Sequence, residues 1–316
     1  MKEIGGYIEL DTYTGKEFHP NALALNCGRS ALIYLIRAKK IKKLYLPYYC
    51  CCSVYDSCKK ESVAISYYHI DHHLRPIVER ALEKDEWLYV INYYGQLSNE
   101  EITYYKNLYQ RIIIDSTHAF YQFYPENIDA IYSCRKFFGV ADGAYLYTDA
   151  EKLALKRGYS YDKMRFLHGR FEKGANEFYH EYIENNRKLQ EEPVTLMSKL
   201  TQNLLRGVDY RAVGKRRESN FKYLHHALGK INQIKLIIPY GAFFYPFYVK
   251  NGKRIRDALI QKKIYIPALW LNIFDMCEAS WLEYDLASNL LPLPVDQRYD
   301  NIDMKYILDA LGEWLS

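Results

Sequence analysis

The chain carries Ile-Ile-Ile-Asp-Ser-Thr-His at residues 112–118 and Ala-Ile-Tyr-Ser-Cys-Arg-Lys at residues 130–136. In each stretch a short apolar run, typical of a buried strand, leads directly into polar residues. The first run ends on Asp115, and the second leads to Lys136. Taken alone, Asp115 also fits a helix cap or a turn, and Lys136 a surface position. Open parallel sheets bind ligands beyond the carboxyl ends of their strands, so both side chains are candidates for one site.

The sequence on either side of these stretches alternates short apolar runs with amphipathic segments. This rhythm predicts a doubly wound, mostly parallel sheet flanked by helices. Strands are expected near residues 44–46, 63–67, 87–92 and 111–114, and helices near 31–38, 54–58 and 100–109. The runs at 129–133 and 143–148 leave little room for a helix between them, which predicts antiparallel pairing.

The second half of the chain predicts a smaller α+β domain behind a long helical region. Helices are expected at 173–189, 197–227, 254–261 and 302–314, and strands at 234–238, 244–249 and 264–266. We place the boundary near residue 216, with a large α/β domain at 1–215 and a small C-terminal domain at 216–316.

Composition excludes several classes of protein. With 316 residues, 49% hydrophobic and 26% charged, the chain is globular rather than disordered. A net charge of +5 is a mild excess, so no nucleic-acid partner is expected. Residues 1–13 lack the pattern of a signal peptide, and the apolar segment 236–249 is too short to span a bilayer. We therefore expect a cytoplasmic protein without a membrane span.

The seven cysteines do not form the paired spacing of a zinc site or of a disulfide framework. Three of them are consecutive, at residues 50–52. Successive side chains of an extended segment point to opposite faces, so these three cannot easily converge on one ion, even with the histidines at 69, 72 and 73. We expect reduced thiols and no metal.

A third candidate element lies near the start of the chain. Leu-Ala-Leu-Asn at residues 23–26 leads into Cys27, Gly28, Arg29 and Ser30, which open a helix. The free backbone N–H groups at a helix N-terminus attract anions, and Ser30 adds a hydroxyl. These residues are a candidate anion site.

In this order, the three elements resemble those of pyridoxal-phosphate enzymes of the aspartate aminotransferase fold, specifically the DegT-type sugar-nucleotide aminotransferases. The resemblance implies fold type I, with the cofactor phosphate bound at Gly28, Arg29 and Ser30. It also implies that Asp115 pairs with the pyridine nitrogen and that Lys136 bonds the cofactor covalently. Ser133 would help to hold the phosphate, and His118 lies where the family usually has Gln near the phenolic oxygen. Tyr49, Asn92, Tyr93 and Arg135 are further candidates for cofactor or substrate contacts.

The resemblance extends over nearly the whole chain at low identity. Further matching segments are residues 46–49, 94–96, 197–200, 254–266 and 291–294. The chain departs from the family in being short, with a clipped N-terminus and a compact region between residues 148 and 197. Cys51 lies near the position where an aromatic residue often stacks on the cofactor, and the interval from Ser133 to Lys136 is tighter than usual.

The function implied is amino transfer from an amino acid, glutamate by resemblance, to a keto-sugar nucleotide in polysaccharide or glycoconjugate biosynthesis. The resemblance also implies a homodimer, because this fold builds each active site from two subunits. Two alternatives stay open at this stage. One is a pyridoxal-phosphate enzyme acting on a small keto acid or another amine substrate. The other is a degenerate, non-catalytic member that binds a ligand or a partner.

Overall fold

A computed structural model describes residues 4–125 and 127–315, and a mostly parallel sheet of eight strands lies at its centre. The spatial order is β1, β8, β7, β6, β5, β2, β3, β4. The strands are β1 (Leu23–Leu25), β2 (Lys43–Pro47), β3 (Ala64–Ile70), β4 (Pro76–Ile77), β5 (Glu86–Ile91), β6 (Ile112–Asp115), β7 (Asp129–Ser133) and β8 (Ala144–Tyr147). The predicted mostly parallel sheet is confirmed. Its edge strand β4 has only two residues.

The five central strands, β7, β6, β5, β2 and β3, run parallel to one another. Strand β8 is antiparallel to β7, with Ile131 opposite Leu146, as the short connection between them predicts. Strand β1 is antiparallel to β8 at the edge. Asp115 lies opposite Ile91 on one side and Ile131 on the other. The carboxyl ends of β5, β6 and β7 therefore meet at one edge of the sheet.

Helices connect and cover the strands. They are α1 (Gly28–Ala38), α2 (Cys52–Lys60), α3 (Asn99–Tyr109), α4 (Arg165–Glu172), α5 (Tyr179–Glu191), α6 (Lys199–Arg206), α7 (Tyr210–Leu228), α8 (Gly252–Gln261), α9 (Ile273–Met276), α10 (Leu282–Asn289) and α11 (Asn301–Leu315). Helix α1 buries one continuous apolar stretch, residues 31–36, against the sheet. Helix α3 begins with a capping box, in which Ser98 and Glu101 satisfy each other's backbone N–H groups.

A second, separate core lies in the C-terminal part of the chain. Strands β9 (Phe244–Tyr248) and β10 (Leu290–Pro294) form an antiparallel pair. Helices α7, α8 and α11 pack with this pair around buried Phe221, Tyr245 and Leu311. A small α+β unit with a core of its own is thus present, while the boundary near residue 216 stays a prediction.

Three predicted elements are wrong. Residues 234–238 and 264–266 are not strands. The first ends at Pro239, and its Ile237 bonds through both its N–H and its C=O to the Gln96 side chain instead of a neighbouring strand. The second runs into Pro267, which has no N–H for a sheet. The predicted helix at 197–227 is two helices, because Asp209 caps a new one by accepting a hydrogen bond from Ala212 N.

The helix predicted at 173–189 begins later, at Tyr179. It is α5, and the shorter helix α4 precedes it. Within the described residues, no helix is both long and apolar enough to cross a membrane.

The second core yields a stability prediction. Leu224 on α7 is fully buried, and Leu224→Ala should lower the free energy of unfolding by about 2–5 kcal/mol, because it leaves a cavity. Lys222→Ala on the exposed side of the same helix removes an i,i+4 ion pair with Glu218 and should cost less than about 0.5 kcal/mol. Urea unfolding of both variants measures the difference, and equal costs would contradict the described core.

Candidate active site

The carboxylate of Asp115 lies at the carboxyl end of β6 and is held by two donors. The hydroxyl of Tyr89 donates to Oδ2 at 2.8 Å, and the backbone N–H of Thr117 donates to Oδ1 at 2.9 Å. Burial, followed by the nearby Asp115 charge, raises the pKa of Tyr89 well above its usual value. Tyr89 therefore stays protonated and acts as a fixed donor to Asp115.

Lys136 lies on the single helical turn, residues 134–136, that follows β7. Its Nζ is 3.4 Å from Thr117 Oγ1 and 5.5 Å from the ring centroid of Phe243. Thr117 therefore contacts both predicted catalytic side chains, through its backbone N–H on Asp115 and through its hydroxyl on Lys136. The lysine side chain is otherwise exposed, which leaves its amine accessible to a small molecule.

The N-terminus of α1 lies beside the same threonine. A Cβ placed on Gly28 would be 3.6 Å from Thr117 Cγ2. Ser30 is buried in the first turn, where its hydroxyl is 3.4 Å from Cys27 Sγ. The helix presents its unpaired N–H groups here, so a partial positive charge adjoins Lys136 and Asp115.

Two arginines add full positive charges at this helix end. Arg135 donates to Asn186 Oδ1 at 2.5 Å, and Arg29 donates to Asn186 O at 3.2 Å. In the described part of the chain, neither guanidinium forms an ion pair with a carboxylate, and Arg135 Nε is buried without a partner. Burial lowers the pKa of Arg135, and the charge of Arg29 lowers it further. Two uncompensated cations at a helix N-terminus favour an anion such as phosphate.

His118 lies three residues beyond Asp115 in an aromatic cluster. Its ring stacks on Phe243 at 4.5 Å and lies parallel to Trp270 at 5.8 Å between centroids. Burial lowers the pKa of His118 well below 6.5, and the charge of Lys136 adds to that effect. The ring is therefore neutral at pH 7, with one donor and one acceptor nitrogen. Neither nitrogen has a partner among the described residues.

Cys51 immediately precedes α2, and its Sγ accepts a hydrogen bond from the Ser53 hydroxyl at 3.1 Å. A hydrogen bond from Cys52 outweighs the opposing effect of burial and lowers the pKa of Cys51, and the charge of Lys136 contributes. This lowered pKa gives Cys51 more thiolate character than a free cysteine, close to the positive charge of Lys136. This position differs chemically from the aromatic residue expected there.

The structure brings most of the predicted residues together. Gly28, Asp115 and Lys136 each lie close to Thr117, and His118 and Lys136 both pack against Phe243. Arg29 and Arg135 meet at Asn186, while the Ser30 hydroxyl is buried beside Cys27. Ser133 is the last residue of β7 and lies opposite Ala144, one turn before Lys136.

Two predicted contact residues, Asn92 and Tyr49, are engaged elsewhere. Asn92 donates to Gln122 Oε1 at 2.8 Å and accepts from Leu97 N at 2.9 Å, so its amide is used within the loop that follows β5. Tyr49 is buried with its ring edge-on to Trp270 at 4.7 Å, and Tyr93 donates to its backbone carbonyl. Asn92 still adjoins the site, because its backbone N–H donates to Asp115 O at 3.0 Å, but its side-chain amide is already occupied. The Tyr49 ring contacts the aromatic cluster through Trp270.

Four residues of the site were not predicted: Thr117, Asn186, Phe243 and Trp270. Thr117 lies between Asp115 and His118 in the sequence, and a hydroxyl at that position was a local signal for it. The other three come from distant segments, and nothing in their local sequence marks them. Within the described residues, no group of three or more His, Cys, Asp and Glu side chains has the arrangement of a metal site.

No protein-family model matches the chain, and no curated protein matches it. Solved structures do match. An aminotransferase of the DegT, DnrJ, EryC1 and StrS type from Brucella abortus aligns with a TM-score of 0.64 at 13% identity, over 93% of this chain and 85% of its own. The chain has the fold of these aminotransferases.

Two further structures show the same likeness. The sugar aminotransferase CalS13 from Micromonospora echinospora aligns with a TM-score of 0.64 at 12% identity, over 93% of this chain and 87% of its own. Spr1654 from Streptococcus pneumoniae, in its PLP form, aligns with a TM-score of 0.65 at 11% identity, over 94% and 88%. The fold is therefore that of the type I pyridoxal-phosphate enzymes, as the sequence resemblance implied.

Within this aminotransferase fold, Cys51 gives a prediction that needs no activity assay. Iodoacetamide at pH 6.5 should label Cys51 first, because burial raises the pKa of Cys58 to about 12 and that of Cys277 to about 11. Cys52→Ala removes the hydrogen bond to Cys51 and should slow its labelling. Peptide mapping by mass spectrometry measures both rates. Preferential labelling of another cysteine would contradict the described environment.

Proposed function

We propose that this protein is a pyridoxal-phosphate-dependent aminotransferase that transfers the amino group of an amino acid to a keto-sugar nucleotide. The observation that carries the proposal is the meeting of Lys136 and Asp115 around Thr117, beside the N-terminus of α1. The shared fold with sugar aminotransferases supports it.

The residues present fit this cofactor. Its phosphate requires positive charge and N–H donors, which Arg29, Arg135 and the first turn of α1 would supply. Its pyridine nitrogen requires an anion, which Asp115 would supply at the buried end of the site. The unpartnered nitrogens of neutral His118 would reach the phenolic oxygen. When bound, pyridoxal phosphate supplies a carbonyl carbon that bonds to amines and a ring that stabilises negative charge on the substrate carbon.

Asp115 and Lys136 would have separate tasks in the reaction. Tyr89 and Thr117 fix the Asp115 carboxylate, which would keep a proton on the ring nitrogen. Lys136 would anchor the cofactor and, once displaced by the amino donor, take the proton from the α carbon of that donor. The hydroxyl of Thr117 would orient Lys136 Nζ between these positions.

The proposal also covers the two substrates and the oligomeric state. We take glutamate as the amino donor and a keto-sugar nucleotide as the acceptor, in polysaccharide or glycoconjugate synthesis in the cytoplasm. We also propose a homodimer. Two features support a second copy: the single chain leaves Lys136 exposed, and it exposes Phe171, Tyr161 and Tyr179 in and near α4 and α5.

A visible absorption spectrum tests the cofactor assignment. Protein mixed with pyridoxal phosphate should show a band from cofactor bonded to lysine, and glutamate should bleach it. Lys136→Ala should lose the band, while Lys152→Ala, at an exposed lysine outside the site, should keep it. A band that survives Lys136→Ala would contradict the assignment of the lysine, and the lack of a band in every sample would contradict the cofactor.

Substitutions around Asp115 should give graded losses of turnover. Asp115→Asn keeps the shape but removes the charge, and kcat should fall by roughly 100-fold, the usual size for loss of one preorganised electrostatic contact. Tyr89→Phe removes one donor to the carboxylate, so its loss should be smaller, about tenfold. Steady-state amination of a keto-sugar nucleotide measures both. Equal losses, or none, would contradict the role of Asp115.

A substrate panel tests the acceptor. Glutamate-dependent formation of an amino-sugar nucleotide is expected, with little turnover of small keto acids. The reverse result would replace the proposed acceptor with a small keto acid and leave the cofactor assignment intact.

A further inference from the structure

The first described residues of the chain form a segment whose apolar side chains are left uncovered. Ile4, Tyr7 and Ile8 are 96%, 96% and 91% exposed, and Leu10 is 70% exposed. Among the described residues, no atom lies within 4 Å of a Cβ placed on either glycine between Ile4 and Tyr7. Single exposed apolar residues are common, but four of them within seven residues form a patch that marks an interaction site. We call residues 4–10 the N-terminal arm.

The root of the N-terminal arm is anchored on α6. Asn203 of that helix accepts a hydrogen bond from Tyr13 N at 2.9 Å and donates one to Asp11 O at 2.9 Å. The Tyr13 ring packs on the backbone of Gly207, where a Cβ would lie 3.1 Å from the ring. These contacts fix the place at which the arm leaves the body of the protein. Seven extended residues span at most about 23 Å, so the arm can reach well beyond its anchor.

A second uncovered apolar surface lies near α6. Leu200 and Leu204 of α6 pack in one cluster with Phe166 of α4, so α6 joins the anchor of the arm to α4. Six large apolar side chains on α4, on α5 and in the turn before α4 are exposed, and Phe171 among them is 93% exposed. We call this surface the α4–α5 face, and its residues are Tyr159, Tyr161, Phe171, Tyr179, Tyr182 and Ile183.

The charges of the two surfaces are complementary. The arm and its root carry the carboxylates of Glu9 and Asp11, whereas α4 carries the exposed guanidinium groups of Arg165 and Arg170. Arg165 pairs with Glu181 at 3.3 Å, and Arg170 forms no ion pair within the part of the chain that the structure describes. An acidic segment is repelled by anionic lipid, so a membrane surface is disfavoured as the partner of the arm.

The exposed area is large enough for a stable contact between two copies. The four apolar side chains of one arm expose about 600 Å², at roughly 150 Å² each. Because the arm and the α4–α5 face belong to the same chain, a two-fold dimer makes the contact twice. Two arms and the two faces that they cover then exceed the roughly 1,600 Å² of a typical stable interface.

We propose that the N-terminal arm of one copy docks on the α4–α5 face of a second copy, and that this reciprocal contact holds the homodimer together. The inference rests on the proposed function, which includes a homodimer, and it adds the segment and the surface that form the dimer. The face adjoins the candidate active site, because Asn186 of α5 binds Arg135, the residue before Lys136. A docked arm therefore places the second copy beside the positively charged end of that site.

Sedimentation velocity over a range of protein concentrations tests both surfaces. The wild type should dimerise, and Tyr7→Ser with Ile8→Ser should raise the Kd of the dimer at least 100-fold, because two large apolar side chains on each arm lose their burial. Phe171→Ser on the face should raise the Kd at least tenfold. All three side chains are exposed in the single chain, so its fold is retained.

Tyr104→Ser with Ile302→Ser is the matched control, since it changes an exposed Tyr and an exposed Ile outside both surfaces, and it should leave the Kd unchanged. A monomeric wild type, or an unchanged Kd in the arm variant or in Phe171→Ser, would overturn the proposal.

Photocrosslinking identifies what the arm contacts. On irradiation, p-benzoylphenylalanine at position 7 forms a bond to a C–H group that lies beside it. A denaturing gel separates a crosslink within one chain from a crosslink between two chains, and peptide mapping locates its other end. A covalent dimer joined at residues 159–183 is expected. A crosslink within one chain, or one to a different part of the second copy, would refute docking on the α4–α5 face.

The docked arm and the aminotransferase fail separately in these experiments. The absorption band of the cofactor is recorded on the same wild-type samples. A band in a protein whose dimer is insensitive to both variants would remove the docked arm and keep the aminotransferase. A dimer that depends on Tyr7, Ile8 and Phe171, without a band, would keep the arm and remove the cofactor chemistry.

Discussion

The parallel pairing of β6 with β7 is the constraint on which the rest of the site depends. It places Asp115 opposite Ile131, and Ser116 N donates to Ile131 O at 2.8 Å just beyond the strand end. The turn after β6 therefore starts opposite Ile131, two residues before β7 ends at Ser133. Thr117 and Lys136 meet because each lies in the first turn after its strand. A shift of register by one residue would reverse the faces of β6 and move Asp115 away.

The site has a positively charged end and a negatively charged end. Arg29, Arg135 and the N-terminus of α1 form a positive end without a carboxylate partner among the described residues, which is unfavourable until an anion binds. Asp115, held by two donors, forms a negative end deeper in the protein. Lys136 lies between them, and its charge acts on the nearby Cys51 sulfur. A ligand with a phosphate at one end and a basic ring nitrogen at the other matches this arrangement.

The sequence predicted those parts of the site that depend on neighbours along the chain. The strands ending near Asp115 and Lys136, and the helix starting at Gly28, follow from contiguous apolar runs and the polar residues after them. The failures depend on distant contacts. Residues 234–238 have the apolar run of a strand, yet the Gln96 side chain binds their backbone. Asn92 follows a strand as Asp115 does, but Gln122 and Leu97 occupy its amide. Trp270 reaches His118 from an irregular segment that ends at α9, which no local pattern reveals.

The most direct test of the central claim identifies the lysine that bonds the cofactor. Protein incubated with pyridoxal phosphate is reduced with borohydride, which makes the bond permanent, and is then digested and mapped by mass spectrometry. The account predicts one modified peptide carrying the adduct on Lys136, and no adduct when inorganic phosphate at high concentration competes for Arg29, Arg135 and the end of α1. An adduct spread over several surface lysines, insensitive to phosphate, would contradict it.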